Sequence, residues 1–202
     1  MLDRGYDVTG VDVSGAMLAE ARGKTQDRAR LLRGDMRRLP VLGEFDLVWC
    51  LGDALNYLDT ADELTATLAG FARNLTADGV VVFDVNTLGT FRVLYSSLYV
   101  VPSEERVVLL EGRGRRDLEP GDAAQTWIDR LEPESSGWWT RTRSAHHHRH
   151  HPAAAVQAAL SRAGLTVCAV YGTRTSGVIE APLDELVHAK AVYIARRAAR
   201  RD

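Results

Sequence analysis

Two short runs, FDLVWC at Phe45–Cys50 and VVVFDVN at Val80–Asn86, are apolar almost throughout and are joined by one helix-length stretch. A strand with one wet face alternates apolar and polar residues, so continuous apolar runs point to strands buried on both faces. Between them Thr60 starts a helix, and Glu63 three residues on completes a capping box. Leu64, Leu68, Phe71 and Leu75 then fall on one helical face, and Asp78-Gly79 turns the chain into the second run. Strand, helix, strand in this order predicts a parallel sheet with helices on its faces.

The same unit occurs upstream. Tyr6–Val13 reads as a strand, Ser14 as an N-cap, Ala16–Arg22 as a helix and Leu31–Arg33 as a short strand. After Asn86 the pattern changes. Glu105–Arg113, Gln125–Glu132 and Trp138–Arg149 read as three strands separated by Gly121-Asp122 and by Ser135–Gly137. They predict an antiparallel excursion over about 92–150 inside a single domain spanning 1–202. Pro152 opens a helix to Leu160, and Gly164 stops it. Leu165–Tyr171 and Ala189–Ala195 read as a closing hairpin at the sheet edge. The tail ARRAARRD reads as solvated and frayed.

Lys plus Arg is 25 against 27 Asp plus Glu, a formal net charge of −2. That balance gives no reason to expect a nucleic-acid or membrane-surface partner. Two cysteines, Cys50 and Cys168, make no disulfide framework, so a reducing cytoplasm is the expected location. No stretch approaches the roughly 18 apolar residues of a membrane helix.

Asp12 stands at the carboxyl end of the first strand, the end at which open α/β sheets bind ligands. A carboxylate there accepts both ribose hydroxyls of a nucleoside, or else caps the helix that follows. Gly34-Asp35-Met36 comes about twenty residues later. Asp35 there is either an adenine-amino acceptor or a turn residue, with Met36 against the ring face.

In this order the motifs resemble the class I S-adenosylmethionine-dependent methyltransferases, small-molecule type with a β-strand lid. VTGVDVSGAMLAEAR is similar to that family's second strand and helix, and GDMRRLP to its adenine motif. FDLVWCLGDALNYL resembles its fourth strand and loop, LTADGVVVFDVNT its fifth strand, and HHHRHHPAAAVQAALSRAGL its lid return and next helix. The resemblance implies an α/β, Rossmann-like sheet with a terminal antiparallel hairpin and an antiparallel lid. It implies S-adenosyl-L-methionine as cofactor, a small-molecule N or O acceptor, and room for a homodimer. On the cofactor side it places Asp12, Val13, Met17, Gly34, Asp35, Met36, Cys50, Leu51 and Asn56. On the acceptor side it places Tyr57, His146 and Arg149, the last two as an H-x-x-R pair over the mouth. Asn86 either faces the acceptor or caps the lid's first turn. Trp127, Trp138 and Trp139 either close over the acceptor or pack the lid.

The family's first strand, first helix and glycine-rich loop have no counterpart in the sequence. The expectation is therefore an N-terminally shortened chain whose second and fourth family strands lack the strand between them. Each unpaired buried group there costs about 1–3 kcal/mol. In the run HHHRHH, His146, His148 and His150 would share one face of a strand and could hold zinc only with a further partner, but no Cys or acidic cluster adjoins it to complete a shell. A nicotinamide-dependent enzyme and a non-catalytic remnant remain as alternative readings.

Overall fold

The computed structural model describes residues 1–198; the last four residues of the ARRAARRD tail lie outside the described residues. In chain order the elements are β1 (Thr9–Asp12), α1 (Gly15–Thr25), β2 (Arg30–Arg33), β3 (Phe45–Cys50), α2 (Ala61–Arg73), β4 (Leu75–Asn86) and α3 (Leu88–Val93). The lid strands follow as β5 (Leu98–Pro102), β6 (Val107–Gly112), β7 (Ala123–Pro133) and β8 (Trp139–Arg149). Then come α4 (Ala153–Arg162), β9 (Leu165–Thr173), β10 (Ile179–Glu180) and β11 (Lys190–Arg197).

The main sheet has the order β10-β9-β11-β4-β3, with β3 parallel to β4 and β11 antiparallel to both neighbours. β11 therefore inserts beside β4, and the hairpin expected at the sheet edge supplies three of the five strands. β1 and β2 pair in parallel as a separate two-stranded sheet. Among the described residues β1 bonds only to β2, and β3 only to β4, so each keeps one edge without a strand partner.

Packing explains why that arrangement holds. Thr60 caps α2 by accepting the Glu63 N–H at 3.1 Å, while the Glu63 carboxylate reaches back to the Asp59 N–H at 2.7 Å. α2 then buries Leu64, Leu68 and Phe71, and α4 buries Val156, Ala159 and Leu160. Both helices cover the face made by Val81, Phe83 and Val85 of β4 with Ala191, Tyr193 and Ala195 of β11. The Phe83 and Tyr193 rings stack across the strands at 5.1 Å. The β1–β2 piece is tied in through Leu39, which joins this core, and through Arg37, which pairs with Glu63 of α2 at 3.0 Å.

The opposite face corrects the expectation that FDLVWC is buried on both sides. Leu47 is 38% and Trp49 54% exposed, beside Val80 and Val82 in register. Only Val48 and Cys50 point to the covered face. The Asp78-Gly79 turn is a bulge inside β4: Phe45 pairs with Leu75, but Leu47 already pairs with Val80.

The lid has four antiparallel strands, β5-β6-β7-β8; the apolar edge strand LYVVP was not among the three expected. It docks where β6 crosses the backbone of Tyr95. A Cβ on Gly112 would overlap the Tyr95 carbonyl carbon, so only glycine permits that approach. Phe91, Tyr95, Leu118 and Ala124 form the small core beneath. Trp127 lies between the guanidinium groups of Arg113 and Arg143, 4.5 and 4.4 Å from the ring centre. It pairs with Ala145, and so sits on the face away from His146. Trp138, 77% exposed, and Trp139 stand at the β7–β8 turn. None of the three closes over the mouth.

Asp129 takes two guanidinium groups, Arg141 and Arg143, each through two hydrogen bonds of 2.7–3.0 Å. These bonds hold its carboxyl well below the usual carboxylate range. A depressed folded pKa contributes stability that is complete above the unfolded value, near 4, and is lost as pH falls below it. Trp127 fluorescence should therefore report the lid loosening in acid, and Asp129→Asn should show that loosened signal already at pH 7.

Candidate functional site

Asp12 ends β1, Asp35 follows the carboxyl end of β2, Cys50 ends β3, and Asp84 to Asn86 end β4. One oxygen of Asp12 accepts the Ser14 N–H at 2.7 Å and shapes the turn into α1. Its other oxygen has no bond among the described residues. Val13, Met17 and Leu51 expose their side chains near these strand ends. Met36 is half-buried against the core, and the Gly34 N–H donates to the Asp12 carbonyl at 3.0 Å. A free carboxylate edge with exposed apolar side chains fits the sugar and base of a nucleoside cofactor.

Of the two roles open to Asp35, the turn role is the one seen. Arg37 donates from its side chain to both carboxylate oxygens at 2.7–3.0 Å and from its backbone to Oδ1 at 2.9 Å. The Arg37 guanidinium holds the Asp35 carboxyl below its ordinary value. The carboxylate is thus engaged by its own turn. Burial, and then the charge of Asp84, push the Cys50 thiol up to about 12, so the sulfur stays protonated and is no nucleophile.

Asn56 is fully buried and has both ends of its amide in use. Its Oδ1 accepts the Asn86 N–H at 2.8 Å, and its Nδ2 donates to the Arg149 carbonyl at 2.9 Å. It clamps the lid to β4 rather than facing a cofactor. Asn56→Ala leaves two buried backbone groups unpaired and should lower stability by about 2–3 kcal/mol in denaturant titration.

Arg149 and His146 do not share a face. Residues three apart on a strand point to opposite sides, and the Arg149 guanidinium donates to the Gly121 carbonyl at 2.6 Å on the lid's far side. His146 faces inward. Its Nδ1 lies 2.7 Å from the Tyr57 hydroxyl and its Nε2 2.9 Å from Ser144 Oγ, so both ring nitrogens are taken. The rest of the histidine run disperses. His147 meets Asp59, His150 meets Glu185 and the Gly121 N–H, and His151 meets the Leu55 carbonyl.

Between the lid and the β3 and β4 ends lies a charged cluster that the motifs did not reveal. Asp84, nearly buried, accepts the N–H groups of Gly52 and Asp53 at 3.1 and 2.6 Å. Lys190 of β11 reaches Asp84 at 3.1 Å and Asp53 at 3.3 Å. Asn86 donates to Asp53 and to the Tyr95 hydroxyl. Asp53 itself holds φ 57, a left-handed conformation uncommon outside glycine. Burial, and then the charge of Asp53, raise the Tyr57 hydroxyl's pKa, so it remains a neutral donor. The sequence signals were an aspartate inside an apolar run and one of only two lysines in the chain.

Known proteins resemble this chain in sequence over its N-terminal part and in fold over nearly its whole length. The family described as a methyltransferase domain matches residues 1–79. A dTDP-3-amino-3,4,6-trideoxy-alpha-D-glucopyranose N,N-dimethyltransferase from Streptomyces venezuelae is 38% identical over 78 residues, 39% of this chain and 32% of that protein. The chain thus spans about a third of the length of such curated relatives. An S-adenosylmethionine-dependent methyltransferase from Clostridium acetobutylicum ATCC 824 superposes with a TM-score of 0.80 at 20% identity, covering 96% of this chain and 76% of that one. The sugar N-methyltransferase KedS8 from Streptoalloteichus sp ATCC 53650 superposes with a TM-score of 0.70 at 25% identity, covering 95% and 71%. Residues 1–79 thus match a methyltransferase domain, and the described chain has the fold of the S-adenosylmethionine-dependent methyltransferase it superposes on.

Proposed function

We propose that the chain transfers a methyl group from S-adenosylmethionine to a nitrogen or oxygen of a small molecule, an amino group on a sugar-sized compound being the favoured acceptor. The observation that carries this reading is the cluster of Asp53, Asp84, Asn86 and Lys190 at the β3 and β4 ends, roofed by the lid residues His146 and His148. The sugar N-methyltransferase relatives support the acceptor class.

Asp12 would hold the ribose hydroxyls, with Val13, Met17 and Met36 beside the base. Bound S-adenosylmethionine supplies an electrophilic methyl, so the protein needs little covalent chemistry of its own. Its residues have to align the acceptor and exclude water. The Asp84 carboxylate fixes the Gly52-Asp53 backbone, and Asn56 fixes the lid edge above it. Tyr57, latched to His146, lines the mouth between them.

We further infer a homodimer in the cytoplasm. All five residues of the edge strand β5 are exposed, and its outer edge is open to a second copy. Both cysteines are free, and among the described residues no helix is long and apolar enough to cross a membrane. Transfer of a labelled methyl to a panel of amino sugars, amino acids and small phenols tests the activity. Incorporation into an amino sugar supports the reading, and no incorporation into any acceptor despite cofactor binding counts against it.

A further inference from the structure

His148 is the one histidine of the run whose ring nitrogens both lack a hydrogen-bond partner among the described residues. It is 4% exposed and points inward beside His146, opposite the small Ala124 of β7. The Tyr57 ring lies over it at 4.2 Å and the Tyr95 ring meets its edge at 5.3 Å. Its Nε2 faces Asp53 Oδ2 at 3.7 Å. A buried polar ring left unpaired is destabilising, and an aromatic or aliphatic side chain would fill the same space without that cost.

Resting on the methyltransferase reading, we propose that His148 is the residue that orients the acceptor: Nε2–H points to Asp53, and the bare Nδ1 accepts a hydrogen bond from the N–H or O–H of the atom to be methylated. Burial lowers the imidazole to about 4, against the opposing pull of Asp53 and with His146 and His147 adding to the fall. At neutral pH the ring carries no charge to repel a sulfonium. Tyr57 and Tyr95 pack against it uncharged, and Lys190 pairs with both Asp53 and Asp84. Tyr57, 44% exposed and latched to His146, is the cover that turns aside to admit the acceptor.

The bond changes balance without a general base. The acceptor nitrogen bonds the methyl carbon, the S–CH3 bond breaks with its electron pair staying on sulfur, and the product ammonium loses a proton to water. Orientation through Nδ1 requires a hydrogen on the nucleophilic atom. Primary and secondary amines are therefore accepted and tertiary amines are not, so methylation of an amine stops at the dimethyl product.

Two measurements test this. Nitrogen-15 NMR of the histidine-labelled chain, assigned with His148→Asn, should show His148 neutral at pH 7 with its proton on Nε2, and Asp53→Asn should move its titration further down. A proton on Nδ1, or a titration indifferent to Asp53→Asn, overturns the proposal whether or not an acceptor has been found. With an amino-sugar acceptor, His148→Leu should lose about 100-fold in kcat/KM at unchanged S-adenosylhomocysteine affinity. His148→Asn, which keeps an acceptor near Nδ1, should recover part of that loss. Wild-type turnover by His148→Leu, or a trimethylated product from the unmodified chain, overturns the proposal. Failure of the unmodified chain to bind S-adenosylhomocysteine instead overturns the methyltransferase reading, and the tautomer measurement still decides the Asp53–His148 pairing.

Discussion

Asp84→Ala should be the most destabilising single change at the site, lowering stability by about 3–5 kcal/mol. The carboxylate is nearly buried, and three donors converge on it: the Gly52 and Asp53 N–H groups and the Lys190 ammonium. Removing it leaves two backbone donors unpaired and Lys190 with Asp53 alone. The Asp53 backbone, held at φ 57, then loses the carboxylate that holds its N–H. Asp84→Asn keeps the volume and one acceptor oxygen and should lose about half as much. Urea titration of the three proteins measures the order. Equal stabilities would mean that solvent reaches the cluster freely.

The second large effect is on affinity. Asp12→Asn preserves an acceptor for the Ser14 N–H but replaces the free carboxylate oxygen with a donor. Hydrogen bonds to a charged group contribute about 1.5–3 kcal/mol, so S-adenosylhomocysteine affinity should fall about 10- to 100-fold. Thermal stability should barely change, because the turn bond survives. A loss of folding in place of affinity would make Asp12 a structural cap.

Much of this was legible in the chain. The two apolar runs with a capped helix between them gave β3, α2 and β4, because buried parallel strands and a capping box are local patterns. Asp12 was legible as the acid ending a strand. What was not legible depended on partners distant in sequence. FDLVWC looks the same whether one or both of its faces are covered, and among the described residues Leu47 and Trp49 stay exposed. Asp84 is a charge in an apolar strand, a signal the motifs passed over, and Lys190 lies 106 residues away, joined to it through the β4–β11 register. That His146 and His148 of the histidine run share one face followed from period two. Which of its histidines was already bonded did not, since Ser144 and Tyr57 reach His146 and leave His148 bare. H-x-x-R as one active unit failed on strand geometry, which sets His146 and Arg149 on opposite faces. LYVVP was missed because it is short and exposed at the lid edge.

The central claim is that the carboxyl ends of β1, β2 and β3 form the nucleoside side of a methyl-donor cradle. Amide NMR spectra of the nitrogen-15-labelled chain, titrated with S-adenosylhomocysteine and separately with NADH, test it most directly and detect weak as well as tight binding. Saturable shifts at Val13, Gly34, Met36 and Leu51 with S-adenosylhomocysteine, absent with NADH and weakened in Asp12→Asn, are the expected result. Shifts confined to other residues, equal shifts with NADH, or no shifts at all would contradict it.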